Sequence, residues 1–441
     1  MAAKTSWLSA FSIYAQPRVL SMVFLGFSAG LPYLLVFSTL SAWLRDEGVT
    51  RTVIGFFSWA GVMYSVKVFW APVIDNFRLP FLGRLLGKRR SWMLLAQLGI
   101  MAGLAAMSFA DSRTQLQLIA VLAVAVAFCS ATQDVAIDAY RIESVVTELQ
   151  GAMAATYVLG YRIALLIAGA GAFYIAEYSD WHTVYRVMAV TMGVGIIATV
   201  CIKEPESAEA AQPAESLDLE LDAGFFQRGI AVIKRAAVHP IRDFFSRQQG
   251  LGWLILLVVA VYKMSDITMG VMANPFYLDL GFSKKAIAEV SKVFGFFMTI
   301  AGAGIGGILV LRLGVLRSLL LGGILTASTN LLFAGLAVSK PGLLSLALVI
   351  SADNLSGGIA GSVFIAFLSG LTSPAYTATQ YAALSSLMTL PALLLGGFSG
   401  VVVDHFGYFT FFIYSAGIGV PAIVLATVLL RCQHRLTARS P

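Results

Sequence analysis

Asp134 and Asp138 stand four residues apart in the stretch Phe128-Cys-Ser-Ala-Thr-Gln-Asp-Val-Ala-Ile-Asp-Ala-Tyr-Arg-Ile-Glu143. On a helix that spacing points both carboxylates from one face. The stretch closes an apolar run that begins near Leu116 and is long enough to cross a bilayer. At ~1.5 Å per residue, Asp134 lies roughly 25 Å along it. A carboxylate at that depth costs roughly 2.5–3.5 kcal/mol on insertion scales and normally faces a protein interior or a wet cavity. Two acids on one face, with Gln133 beside them, fit a proton or ligand site. The plainer alternative is an ion pair of Asp138 and Arg141 at the helix end.

Other ionisable side chains also fall far from any span end. Arg162 is ~18 Å into its span and Lys67 ~21 Å into its own. Lys263 and Asp266, i and i+3, are placed to neutralise each other, and Asp353 with Asn354 sits near the middle of a later span. A guanidinium stays charged, so Arg162 must meet a carboxylate, either Asp134 or one on a ligand. Asp134, Asp353 and Asp266 are the candidates for proton coupling. Lys67, Arg162, Lys263, Gln133, Asn354 and Gln380 are the candidate polar contacts to a substrate. Tyr33, Tyr64, Tyr157 and Tyr161 offer ring faces, although tyrosines in membrane spans are commonly packing or interface residues.

The elements that position these groups follow from composition. The chain has 441 residues, 58% hydrophobic and 12% charged, with mean hydropathy +0.83. That is a polytopic membrane protein, all-α. Twelve spans are expected: 19–43, 52–74, 91–109, 115–140, 150–177, 183–202, 250–277, 285–311, 315–337, 342–370, 374–403 and 408–431. The net charge of +7 is a matter of loops and does not point to nucleic acid. Lys4, Arg18, the group Arg78 to Arg90, Arg141, the group Lys203 to Arg247, Arg312, Arg317 and Arg431 to Arg439 share one side. The positive-inside rule makes that side, with both termini, cytoplasmic. Cys129, Cys201 and Cys432 have no disulfide or metal spacing, and neither do the four histidines. No P-loop or other enzyme motif is evident and no cofactor is expected. The first span is too long for a cleaved signal.

Residues 203–249 read as a cytoplasmic linker, acidic and proline-bearing at first and amphipathic over Phe225–Phe245. The linker separates a six-helix bundle, 1–202, from a second, 250–441. The halves repeat: Asp46 and Asp279, Gly48 and Gly281, and Ile54 and Ile287 are each 233 residues apart. Two six-span repeats are a common plan for secondary transporters.

The loop after the second span, Asp75 with Gly87-Lys-Arg-Arg90, and its counterpart Gly307 to Arg317 resemble the cytoplasmic signature of the major facilitator superfamily. The signature is degraded, since Asp75 lacks a nearby Arg-x-Gly and position 311 is Leu. Its job would be a charge latch, with Asp75, Asp138, Arg141 and Arg312 as candidates. Within that superfamily the chain closely resembles the AmpG muropeptide permeases. The segments that carry the resemblance include Gly26 to Pro32, Ile54 to Ser58, Lys67-x2-Trp70-Ala-Pro72-x2-Asp75, Ala127 to Ala139, Leu159 to Arg162, Asp353 to Gly358 and Ala378 to Ser385. The resemblance implies a major-facilitator-like fold, a bacterial inner membrane as its location, and proton-driven import of anhydro-muropeptides, GlcNAc–anhydroMurNAc with or without peptide, for cell-wall recycling. The expected partners are that sugar-peptide, protons and the lipid bilayer, with a monomeric protein. Alternatives are a carrier of another bulky anion, such as an acyl-CoA-like solute, or a non-transporting membrane sensor.

Overall fold

An apolar run in lipid finds no water for its peptide groups, so it bonds to itself as a helix. A computed structural model describes residues 12–49, 60, 62–112, 114–205, 238–248, 250–282, 290, 294–339, 342–396 and 398–437. Among them, ten helices are long and apolar enough to cross a membrane, from Pro17–Leu44 to Ser399–Gln433. The two remaining expected spans are helical but less regular. The second consists of Val62–Val66, a 3₁₀ turn Lys67–Phe69 and Ala71–Asn76. Pro72 starts the last piece, where its missing N–H costs nothing. The eleventh, Thr377–Gly396, carries several Thr and Ser residues and is followed by a helix from Ser399 that kinks at Gly407. Expectations for 50–59, 206–237 and 283–289, including Ile54, Ile287 and most of the amphipathic linker segment, lie outside the described residues. The last part of that segment, 238–247, is helical.

The repeat seen in the sequence has a structural counterpart. Gly48 and Gly281 have φ of 83° and 85°, a region favourable to glycine, and each follows the end of a helix. The repeated aspartates just before them accept aromatic hydrogen bonds. Asp46 receives the Trp181 indole N–H at 3.0 Å, and Asp279 receives the Tyr408 hydroxyl at 2.5 Å. Each bond ties the first span of a half to the start of its sixth. Gln97 and Asn330, also 233 apart, each donate to a serine on the first span of their own half, Ser28 at 3.2 Å and Ser265 at 2.9 Å.

The halves meet at the face that carries most of the basic residues. At the opposite face the apolar clusters stay separate: Trp43, Leu104 and Tyr185 belong to the first half alone, and Phe276, Phe333 and Phe412 to the second. At the basic face the clusters cross. Ala378 and Ala382 join Val135 and Tyr140, and Ile142 packs on the cluster of Phe364 and Tyr381. The fifth span, beginning Gln150–Leu166, crosses the eighth, Gly295–Leu313, at two glycines. A Cβ on Gly151 would stand 3.0 Å from the Gly307 Cα. Tyr14, from the turn Ser12–Ala15, reaches over this crossing and donates to the Gly304 carbonyl at 2.7 Å. Burial pushes the Tyr14 hydroxyl up to about 12, so it remains a donor at physiological pH.

The closed basic face makes a cross-link testable. A Cβ on Gly370, near the end of the tenth span, would lie 3.5 Å from Thr147 Cγ2 in the connection before the fifth. With Cys129, Cys201 and Cys432 replaced, a Thr147→Cys, Gly370→Cys protein is expected to form a disulfide on mild oxidation. Reduction should release it. Peptide mapping without reductant reads the bond, and its absence under oxidant would contradict this closure.

Candidate functional site

The fourth span, Leu116–Ser144, contains neither glycine nor proline and runs unbroken for 29 residues. Asp134 and Asp138 are partly exposed on one face of it, while residues 135–137 and 139–141 are buried. The Asp134 Oδ1 atom is buried without a hydrogen-bond partner among the described residues. Its positive neighbour is Lys67, within electrostatic range from the 3₁₀ turn of the second span but not in an ion pair. Tyr64, Tyr157 and Tyr161 surround the same carboxylate at similar range. Tyr33 links them: its ring centroid is 5.9 Å from Tyr64, 6.5 Å from Tyr161 and 4.9 Å from Phe37, which the sequence reading missed. Tyr157 and Tyr161 are 6.1 Å apart. Four ring faces and a carboxylate without a hydrogen bond at Oδ1 thus share one region of the first half.

Gln133 does not belong to that region. One residue further round the helix, about 100° away, it is fully buried and accepts a hydrogen bond from Ser28 at 3.0 Å. In this structure the Gln133 oxygen is engaged between the first and fourth spans, while its Nε2 is buried without a hydrogen-bond partner among the described residues. Arg162 is exposed on the fifth span. It forms no ion pair with Asp134; the acid within its range is Asp266, across in the second half. Lys263 and Asp266 do pair, at 2.6 Å. Asp353 accepts from Thr329 at 3.3 Å. Asn354 accepts from Thr299 at 3.0 Å and donates to the Ile350 carbonyl at 2.9 Å, which occupies its amide in packing against the eighth span.

The latch candidates lie at the basic face. Arg89, fully buried, donates to Asp75 at 2.8 Å, to Glu143 at 2.6 Å and to the Ile74 carbonyl at 3.1 Å. Asp75 also accepts from the backbone N–H groups of Ala378 and Thr379, at 3.0 and 2.6 Å. That places a carboxylate of one half on the N-terminus of the eleventh span of the other, where the helix charge favours it. Arg141 is the second bolt. It donates to Asp138 at 3.2 Å, to Gln150 at 3.2 Å and to Ser369 of the tenth span at 2.7 Å, and it lies 5.2 Å over the Tyr381 ring. Asp138 therefore touches both the Asp134 face and the latch. Arg312 ends the eighth span on this side.

Gln380 is also at this face, away from the tyrosines. Its amide donates to the Pro240 carbonyl (2.8 Å) and Asp243 (2.9 Å) and accepts from Arg247 (3.0 Å) and the Ser373 N–H (2.7 Å). In this structure its amide is fully engaged, and it holds helix 238–247 on the second half. Glu204, just beyond the sixth span, accepts from the N–H groups of Arg89 and Arg90, at 2.6 and 3.1 Å. Burial pushes its carboxyl up, against the pull of those bonds. The two described ends of the linker are thus fastened to different halves. Arg89, Glu143, Ser369 and Tyr381 were missed as latch residues; the run Gly87-Lys-Arg-Arg90 was the available signal, obscured by its distance from Asp75.

Comparison with known proteins places these features in a lineage. Residues 22–394 match the family model described as Major Facilitator Superfamily. The anhydromuropeptide permease of Escherichia coli K12 is 36% identical over 426 residues, covering 96% of this chain and 81% of that protein. A Rickettsia felis protein named as a transporter, AmpG 4, is 33% identical, covering 95% and 97%. Among solved structures, the human organic anion transporter MFSD10 superposes with a TM-score of 0.64 at 15% identity, covering 93% of this chain and 99% of that one. The proton:xylose symporter XylE superposes at 0.62 and 11%, covering 94% of each. At those identities the structures speak for the fold alone.

Asp75→Asn removes a charge that serves both halves while leaving Arg89 its bond to Glu143. Losing such charge-assisted bonds, worth roughly 1.5–3 kcal/mol, should shift the open-to-closed ratio of the basic face by about tenfold to a hundredfold. The measurement is the rate of the Thr147–Gly370 disulfide, which should fall in the Asp75→Asn protein. An unchanged rate would remove Asp75 from the closure.

Proposed function

The chain belongs to the Major Facilitator Superfamily and, within it, to the family of the anhydromuropeptide permeases, and on that premise we propose that it imports anhydro-muropeptides in symport with protons. The cargo is GlcNAc–anhydroMurNAc with or without a peptide, carried from periplasm to cytoplasm across the bacterial inner membrane. The basic face is the cytoplasmic one, with both termini on it. Two six-helix units, 1–202 and 250–441, move about the space between them, and 203–249 is their cytoplasmic connection.

The observation that carries this reading is the carboxylate of Asp134, its Oδ1 buried without a hydrogen bond, within range of Tyr64, Tyr157, Tyr161 and Lys67. Ring faces suit sugars and the hydroxyls offer hydrogen bonds. A carboxylate between a desolvating wall and a movable amine changes its proton affinity when the halves move. Asp353 and Asp266 are second candidates for that proton. Arg162, exposed and without an ion pair among the described residues, is the natural contact for a peptide carboxylate, with the Lys263–Asp266 pair opposite. Closure of the basic face around Asp75 and Arg141 supports an outward-facing form, the one that would accept a periplasmic substrate.

In proteoliposomes with an imposed pH gradient, Asp134→Asn is expected to abolish uphill accumulation, because an amide cannot cycle a proton. Exchange of labelled for unlabelled substrate should persist if Asp134 couples without binding. Normal accumulation would exclude Asp134.

A second measurement separates sugar from peptide recognition. Lys67→Ala and Arg162→Ala should each weaken the peptide-bearing ligand about tenfold to a hundredfold while sparing the peptide-free disaccharide, as expected for a lost charge-assisted contact of roughly 1.5–3 kcal/mol. Arg162→Lys should recover part of this, since it restores charge without the planar fork. Equal losses for both ligands would make the two cations scaffold.

A further inference from the structure

The connection between the second and third spans is longer than a turn requires. In the second half, Gly314 alone joins the eighth span, ending at Leu313, to the ninth, beginning at Val315. In the first half, residues 77–87 separate Asn76 from Lys88. These residues form a held structure. The Leu82 N–H donates to the Pro80 carbonyl at 2.8 Å, closing a three-residue turn on Phe81, whose φ and ψ are 63° and −67°. Phe81 is the one non-glycine residue with positive φ among those described. A turn of this hand is rare and strained, and strain in a bulky residue persists where its neighbours fix it.

The neighbours do so. Arg78 Nε donates to the Gly83 carbonyl at 2.9 Å, and a Cβ on Gly83 would come within 2.7 Å of Arg78 Cγ. The Trp92 indole donates to the Phe77 carbonyl at 2.9 Å, and Lys88 Nζ to the Asp75 carbonyl at 2.8 Å. The strain buys no packing inside the protein, because Phe81 is 81% exposed, Leu85 74% and Phe77 50%. Arg84 and the terminal nitrogens of Arg78 meet no carboxylate among the described residues. Apolar side chains beside guanidinium groups without a carboxylate partner, on a connection between two membrane spans, match the interfacial layer of a bilayer with anionic headgroups.

We propose that residues 77–87 are a binding site for anionic phospholipid, with Phe81, Phe77 and Leu85 entering the interface and Arg78 and Arg84 taking the headgroup phosphate. The two ends of this connection are the partners of the buried Asp75–Arg89 ion pair. A lipid held there steadies that pair, so headgroup charge adjusts the opening of the basic face. This proposal does not depend on the identity of the transported solute.

The test uses the full chain with Phe81→Trp, in bilayers containing brominated phosphatidylglycerol or brominated phosphatidylcholine at equal mole fraction. Quenching beyond that of the parent protein is expected, stronger with phosphatidylglycerol. Each of Arg78→Ala and Arg84→Ala should reduce that preference about fivefold, which corresponds to about 1 kcal/mol per basic residue at a membrane surface. Phe81→Gly guards against misfolding, since glycine adopts this φ freely. In the Phe81→Gly protein, melting in detergent should not fall, while the dependence of the Thr147–Gly370 disulfide rate on phosphatidylglycerol should be lost. No added quenching by either lipid would place Phe81 in water or against a protein and overturn the proposal. Equal quenching by both lipids would also overturn it, leaving an anchored ring without headgroup recognition.

Discussion

A guanidinium with no exposed surface has to be surrounded by acceptors, because it cannot shed its charge. Arg89 meets that demand with Asp75, Glu143 and the Ile74 carbonyl, all from the first half. Asp75 in turn has lone pairs to spare, and it spends them on the first N–H groups of the eleventh span. The halves therefore close where one half's excess of acceptors meets the other's unpaired helix start. Separation leaves both in need of water, and the ion pair beneath survives. A contact that can be exchanged for water in one step suits a gate better than an apolar seam, which must be hydrated over its whole area.

Chemistry and gate are joined through a short stretch of the fourth span. Asp134 faces the tyrosines, Asp138 one turn on binds Arg141, and Arg141 holds Ser369 and Tyr381 of the other half. Glu143 completes the run by holding Arg89. All three acids stand on one unbroken helix, so the Asp134 region and both sets of contacts at the basic face share a single element. The second span, by contrast, is interrupted at Lys67, which sits on a 3₁₀ turn. Short 3₁₀ stretches of this kind inside a helix often mark hinges.

Much of this was legible before any coordinates. Apolar runs marked the helices, and a carboxylate far from a span end marked Asp134, because burial of charge is costly enough to need a reason. The i, i+3 pairing of Lys263 with Asp266 followed from spacing alone. Periodicity could not say which way a neutral amide points. Gln133 and Gln380 were expected to touch a ligand; here one is bonded between two spans and the other grips the linker, and both placements depend on partners more than a hundred residues away. Arg89 was hidden for the same reason. Its basic run was visible, yet nothing local showed that it folds back onto Asp75 across the intervening loop, nor that Glu143 would complete the cage.

The paired aromatic bonds, Trp181 to Asp46 and Tyr408 to Asp279, have a consequence for how such a chain came to exist. Each fastens the last helix of a unit to its first, so each unit closes on itself without help from the other. A self-closing unit is what gene duplication can copy and fuse without first inventing a new fold. The surface between two such units can be weak and reversible, since each is fastened by its own bond. Internal closure of each half is thus the condition under which a detachable surface between them costs neither half its fold.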